Sequence, residues 1–227
     1  MSTAAANLLN EIDRMIAARH LLSHPFYQAW TRGELSLDAL RDYARQYYHH
    51  VAAFPTYLSA VHANTDDLAT RRHVLSNLMD EEAGSPNHPE LWLDFARSLG
   101  VNPSEVQSAA LWPETRQLID TFRSVCRQGT TEDGLAALYA YESQIPAVAE
   151  SKIDGLKRFY NVSDREGLAY FEVHKEADLE HSAVERELLE SRLAESSAPA
   201  VRRSVDAVLN ALWEMLSGVC SRHAIAC

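Results

Sequence analysis

His174, Asp178 and His181 stand at i, i+4 and i+7 in the stretch YFEVHKEADLEHS, residues 170–182. On an α-helix these three fall within roughly 60° of one another. Two imidazoles and a carboxylate on one stripe can hold a metal together, and borderline cations such as iron favour that mixture. Lys175, Glu176, Glu180 and Glu185 are charged too, so the stretch also reads as a plain solvated face. Leu179 and Val173, however, complete no apolar stripe that would bury the two histidines. If the three form half of a site, facing helices must supply the rest, as inward-pointing Glu and His do in helical di-iron bundles. Glu142 and the pair Glu81 and His88 are the candidates. On an unbroken helix Glu81 and His88 would stand about 10.5 Å apart along the axis, too far to share one ion. The break Gly84-Ser85-Pro86-Asn87 removes the difficulty, because a loop can fold His88 back. It also predicts that the segment 81–88 is poorly ordered without metal.

Positioning those side chains requires helices, and helical periodicity runs through nearly the whole chain. Leu8, Ile12, Met15 and Ile16 make a first amphipathic helix, and HPFYQAWTRGELS reads as a turn-rich connection. Ser36 caps a long helix with Pro55 as a kink, and helices follow over 66–82 and 88–100. Asn102-Pro103 and Trp112-Pro113 start two more. A helix from Thr130 or Thr131 holds Pro146 in its middle, which would free the Glu142 carbonyl and distort the helix beside that carboxylate. Ser163-x-x-Glu166 reads as the capping box of the helix bearing His174. After a polar break at 194–199, a last helix runs from Val201 to about Val219. The expectation is an all-α, single-domain bundle of about seven to eight helices spanning residues 1–227.

Charge narrows the function. With 21 basic against 32 acidic residues the net charge is −11, and no basic block offsets it, which argues against nucleic acid or an anionic membrane as partner. Cys126, Cys220 and Cys227 are widely spaced and imply no disulfide framework. The start MSTAAANLLNEIDRM lacks a signal-peptide pattern, and no apolar run reaches membrane-spanning length. A cytoplasmic protein is expected, with apolar helix surface enough to supply a homodimer contact.

The pattern E-x6-H, then Glu, then H-x3-D-x2-H resembles the ligand set of haem-oxygenase-like di-iron oxidases, a fold shared with TenA- and PqqC-like proteins. HPFYQAW, YARQYYHHVAAFPTYLSA, DEEAGSPNHPELW, YAYESQIPAVAESK and HKEADLEH are similar to one subgroup, the bacterial proteins related to the chlamydial protein associating with death domains. That resemblance implies a two-metal centre, iron with iron or iron with manganese, held by Glu81, His88, Glu142, His174, Asp178 and His181, with O2 as co-substrate. It implies synthesis of p-aminobenzoate for folate, the ring coming from an internal tyrosine in a single turnover. By motif position that tyrosine is Tyr27, with Tyr43 as a second participating phenol and Lys152 as amino donor.

Without the resemblance, Tyr43, Tyr47 and Tyr141 are candidates as good as Tyr27, and Lys152, between Glu150 and Asp154, reads as a surface ion-pair lysine. Two alternatives remain open: a two-metal oxidase of a free small molecule with tyrosines lining its pocket, and a non-enzymatic protein-binding module. A thiamin-degrading relative would need a pocket cysteine, and the three cysteines lie outside the motif helices. Six charged or imidazole ligands would make a poor porphyrin slot, against a haem oxygenase.

Overall fold

The computed structural model describes residues 3–226, so Cys227 lies outside the described residues. Eleven α-helices occur in the order α1 Thr3–Ala18, α2 Pro25–Arg32, α3 Leu37–Asn64, α4 Leu68–Glu82, α5 His88–Ser98, α6 Pro103–Gln107, α7 Pro113–Gln128, α8 Thr131–Glu142, α9 Ile145–Phe159, α10 Arg165–Arg192 and α11 Ala198–Arg222. Ten span eight residues or more, α6 is a five-residue turn, and no strand occurs among the described residues. The all-α expectation holds, but the count of seven to eight falls short for two physical reasons.

First, HPFYQAW is a helix. His24 caps it by accepting from Phe26 N through Nδ1, Pro25 occupies the first turn where its missing N–H costs nothing, and Gly33 closes it at φ 69°. Second, the helix through Pro146 is two helices. α8 ends at Glu142, and α9 begins at Ile145 with Pro146 in its first turn, so no mid-helix distortion falls beside Glu142. Gln144 fills the break: its Oε1 accepts from Leu21 N at 2.8 Å and its Nε2 donates to the Ala140 carbonyl at 2.6 Å. The α10 cap also shifts by one residue, since Asp164 rather than Ser163 accepts from Gly167 N, at 2.7 Å.

α8 is the helix the others surround. Every residue from Asp133 to Glu142 is buried, in line with a sequence, GLAALYAY, that carries no charge until its end. It packs against α10, α11, α7 and α3. A Cβ at Gly134 would stand 2.5 Å from Val61 of α3, so only glycine permits that approach. Glu142, at the end of this apolar rod, is 1% exposed, a place that tolerates a carboxylate only with partners. α10 crosses α8 and also packs on α5, α9 and α4. It thereby faces Glu142, His88, Lys152 and Glu81 at once.

A second close approach fixes α2. A Cβ at Gly155 of α9 would lie 2.4 Å from Trp30 Nε1, and the Trp30 ring neighbours those of Tyr27 and Tyr43 at 6.4 and 6.1 Å. Gly155→Val should therefore push α2 off α9, costing about 1–3 kcal/mol in urea unfolding. An unchanged unfolding midpoint would show that Trp30 relaxes freely.

Candidate metal centre and its tyrosine–lysine neighbour

The six spaced residues converge. Glu81, His88 and His174 form one group, and Glu142, Asp178 and His181 another, each with ligand atoms within 4.8 Å of one another. Glu81 sits in the last turn of α4 and His88 is the first residue of α5. The loop between them folds as its break requires, with Asn87 and Glu90 closing a capping box, and places His88 Nδ1 3.0 Å from Glu81 Oε2. His174 Nε2 lies 3.7 Å from Glu81 Oε1. Its other nitrogen, Nδ1, donates to the Tyr170 carbonyl at 2.7 Å, which leaves Nε2 as the free donor atom. In the second group His181 Nδ1 lies 3.5 Å from Asp178 Oδ1 and 3.6 Å from Glu142 Oε1. There Nε2 donates to Asp80 Oδ2 at 3.0 Å, so Nδ1 is the nitrogen turned inward toward the two carboxylates.

Several buried polar atoms here have no hydrogen-bond partner: His88 Nδ1, Glu142 Oε2, Asp178 Oδ2 and His181 Nδ1. Orphaned groups of this kind are costly and rare. All four belong to the two groups, all are oxygen or imidazole donors, and a pair of borderline cations would satisfy them together. The donor set fits the metals that the sequence anticipates.

Burial and neighbouring charge shift the titration of these groups in different directions. Burial works against the Glu81 carboxylate, yet His174 and His88 bring it down to about 2. Burial lifts Asp178 to about 6. Burial also works against a charged His181 ring, but the Asp178 and Glu142 carboxylates beside it push it up to about 11. A cation at His181 Nδ1 must displace that proton. Metal affinity should then rise with pH, about tenfold per unit for one proton released. Mn(II) binding measured at two pH values near neutrality checks this, and a pH-independent affinity would contradict it.

Sequence reasoning passed over three residues here. Asn77, four residues before Glu81, donates to Glu142 Oε1 at 2.9 Å. Asp80 orients His181. Glu185, four residues after His181, is buried against Glu142, and burial and that carboxylate raise its own carboxyl well above the usual range. Helical spacing from the chosen ligands was the available signal for Asn77 and Glu185.

The three residues assigned to chemistry form a second cluster. Lys152 is 3% exposed, not a surface lysine, and Glu150 pairs with Lys175 instead. Lys152 Nζ donates to Tyr43 Oη at 2.7 Å, and Tyr43 Oη lies 3.3 Å from Tyr27 Oη. The rings of Tyr27, Tyr43, Tyr47, Trp92 and Phe171 surround Nζ, their centroids 5.1–5.5 Å away. Burial without a carboxylate partner lowers the lysine to about 7, so a large fraction is neutral amine near neutral pH. Burial raises the Tyr27 and Tyr43 phenols, which stay protonated. Tyr47 and Tyr141 pair with each other at 2.9 Å. A cavity of about 10 Å³ lined by Lys152, Tyr47, Tyr141, Tyr170 and His174 joins the two clusters. Cys126 is buried, and burial pushes its thiol up to about 12, so it offers no nucleophile.

A helical shell with two oxygen-and-imidazole clusters beside a buried phenol and amine defines a class before it defines a reaction. The chain belongs to the haem-oxygenase-like family described as iron-containing redox enzymes, whose pattern matches residues 41–213. That range includes all six converging ligand candidates, Tyr43 and Lys152, and Tyr27 precedes it. Among relatives, the chain is 47% identical over 206 residues to the "4-aminobenzoate synthase" of Chlamydia pneumoniae, covering 91% of this chain and 92% of that one. It is 45% identical over 224 residues to the "4-aminobenzoate synthase" of Nitrosomonas europaea, covering 92% and 89%. In fold it is similar to a TenA homologue of Pseudomonas syringae pv. tomato, with TM-score 0.81, 16% identity and 96% and 93% of the two chains covered. It is also similar to a CADD-like protein of Nostoc punctiforme, with TM-score 0.77, 16% identity and coverage of 99% and 100%. The protein is thus an enzyme of redox chemistry, and no helix among the described residues is long and apolar enough to cross a membrane.

Proposed function

We propose that this protein makes 4-aminobenzoate from its own residues, Tyr27 supplying the ring and Lys152 the nitrogen, at a centre of two metal ions. The carrying observation is the packing around Lys152. Its amine already lies against the Tyr43 phenol, with Tyr27 next to it, and the adjoining cavity measures about 10 Å³. A benzene-sized guest needs a cavity of roughly 150 Å³. A free aromatic substrate has no room there, whereas an aromatic ring is already in place. This favours the internal-substrate reading over an oxidase of a free molecule. Two buried ligand groups have no purpose in a protein-binding module, which disfavours that reading too.

Glu81, His88 and His174 would hold one ion, and Glu142, Asp178 and His181 the other. Iron with iron, or iron with manganese, bound there would activate O2 and supply the oxidising equivalents. The residues supply the rest. 4-Aminobenzoate has an amine where tyrosine has its phenol oxygen and a carboxylate where tyrosine has Cβ. The conversion therefore breaks Cα–Cβ and Cζ–Oη in Tyr27 and Cε–Nζ in Lys152, joins Nζ to Cζ with the phenol oxygen leaving as water, and oxidises Cβ to the carboxylate with O2 as the oxidant. Neither side chain is regenerated, which limits each chain to one turnover. The neutral amine favoured by burial is the nucleophilic form, and Tyr43, bonded to both partners, orients them and carries a proton between them. The surrounding rings exclude water from this exchange.

The test is isotopic. Protein grown with ring-¹³C tyrosine and ¹⁵Nζ lysine, loaded with iron with and without manganese, is supplied with reductant and O2. Product should carry both labels and not exceed one molecule per chain. Unlabelled product that grows with added free substrate would contradict the proposal.

A further inference from the structure

The two ligand groups are sealed on most sides. The cavity touching Glu81, Glu142, His174 and Asp178 measures about 10 Å³, as does the one toward Lys152. One opening differs. A cavity of about 260 Å³ lies between α4 and α10, with exposed His73, Ser76, Asp80 and Glu180 at its mouth. It does not touch Lys152 or any tyrosine, and no lysine or arginine lines it. Its inner wall includes Asn77, His181 and Glu185.

Glu185 is the feature that neither cluster explains. It is 6% exposed, its Oε2 has no partner, and it lines this cavity while lying against Glu142. Asn77 Oδ1, also buried, is likewise unpartnered. His181 connects rim to interior, with Asp80 3.0 Å from one ring nitrogen and Glu142 and Asp178 within 3.6 Å of the other.

We propose that this cavity is the port by which a divalent cation reaches the Glu142–Asp178–His181 group, and that Glu185 is the ligand that hands the ion over. The port rests on the reading of that group as a metal site. A hydrated cation first meets Asp80 and Glu180 at the mouth. Inside, the Glu185 carboxylate and the Asn77 amide oxygen replace water ligands one by one, and Glu142 and Asp178 then take their place. Leu58, Val74, Leu135, Val184 and Leu188 form the apolar part of the wall, and the oxygens of Asp80, Asn77 and Glu185 give the ion a polar side to follow past them. Apart from His73 and His181, the ionisable residues of the lining are acids, Asp80, Glu180 and Glu185, a balance that favours cations over anions.

The probe is Mn(II) alone, mixed rapidly with metal-free full-length protein, with uptake followed by loss of the free Mn(II) signal in electron paramagnetic resonance. Glu185→Gln should slow uptake about tenfold or more, in line with the effect of removing an outer-shell ligand, while metal content after hours matches wild type. Glu185→Asp should restore part of the rate. Glu180→Lys sits at the exposed mouth, leaves the fold intact and should slow uptake about tenfold by charge alone. If Glu185→Gln does not fold, Glu180→Lys decides by itself. Uptake at the wild-type rate in the folded variants overturns the port and leaves the metal centre standing. A wild-type protein that retains no metal overturns the metal-centre reading and the port together.

Discussion

Tyr27→Phe should give a folded, metal-binding protein that makes no measurable 4-aminobenzoate, a loss of at least a hundredfold. The substitution removes one oxygen and leaves the ring, so packing against Phe26 and Trp30 persists. The lost contact is a single 3.3 Å approach to Tyr43, which keeps its bond to Lys152. Stability should change by about 1 kcal/mol or less. Chemistry should vanish, because a phenylalanine ring has no para oxygen for the amine to replace and is far harder to oxidise. Tyr57→Phe is the matched control: its phenol is equally buried, reaches only His50 at 3.5 Å and lies away from Lys152. Normal product from Tyr27→Phe would transfer the ring-donor role to another tyrosine.

Lys152→Met should abolish product and, at the same time, stabilise the fold. An ordinary lysine titrates near 10.5, and burial brings Lys152 to about 7. That difference corresponds to roughly 5 kcal/mol of penalty on the charged form. Losing the bond to Tyr43 gives back about 1–2 kcal/mol, leaving a net gain of about 3 kcal/mol. The sign follows from proton binding. Between 7 and 10.5 the folded state holds fewer protons on this group than the unfolded state, so wild-type stability rises with pH across that window. The methionine advantage is therefore largest below pH 7 and fades toward 10.5. Urea unfolding of both proteins near pH 6.5 and near pH 9.5 checks it. A variant less stable than wild type at the lower pH would mean the amine is not desolvated in solution. Such a pattern marks a residue kept for chemistry against the interest of the fold.

The parts legible in the sequence are those set by one helix's geometry. His174, Asp178 and His181 needed only the helical period, and the 81–88 loop needed only the glycine and proline that break it. Lys152 was not legible from its neighbours, because Glu150 and Asp154 lie two positions away and point to other sides of α9. Its burial comes from α2, α3 and α5 closing over it, a tertiary fact. α2 itself was read as turn because its cap is a histidine, outside the usual Ser, Thr, Asp and Asn. Pro146 pointed to Glu142 but by a different route: it opens a helix instead of bending one. Glu185 was hidden among the exposed acids that follow on α10, such as Glu187, and only the contact with Glu142 sets it apart.

Crystals of the iron- and manganese-loaded protein, with anomalous scattering recorded at both metal edges, test the account most directly. Two peaks about 3.5–4 Å apart should appear, one beside Glu81, His88 and His174, the other beside Glu142, Asp178 and His181. A single ion, or metal bound only at surface carboxylates with these six side chains still paired to one another, would contradict it.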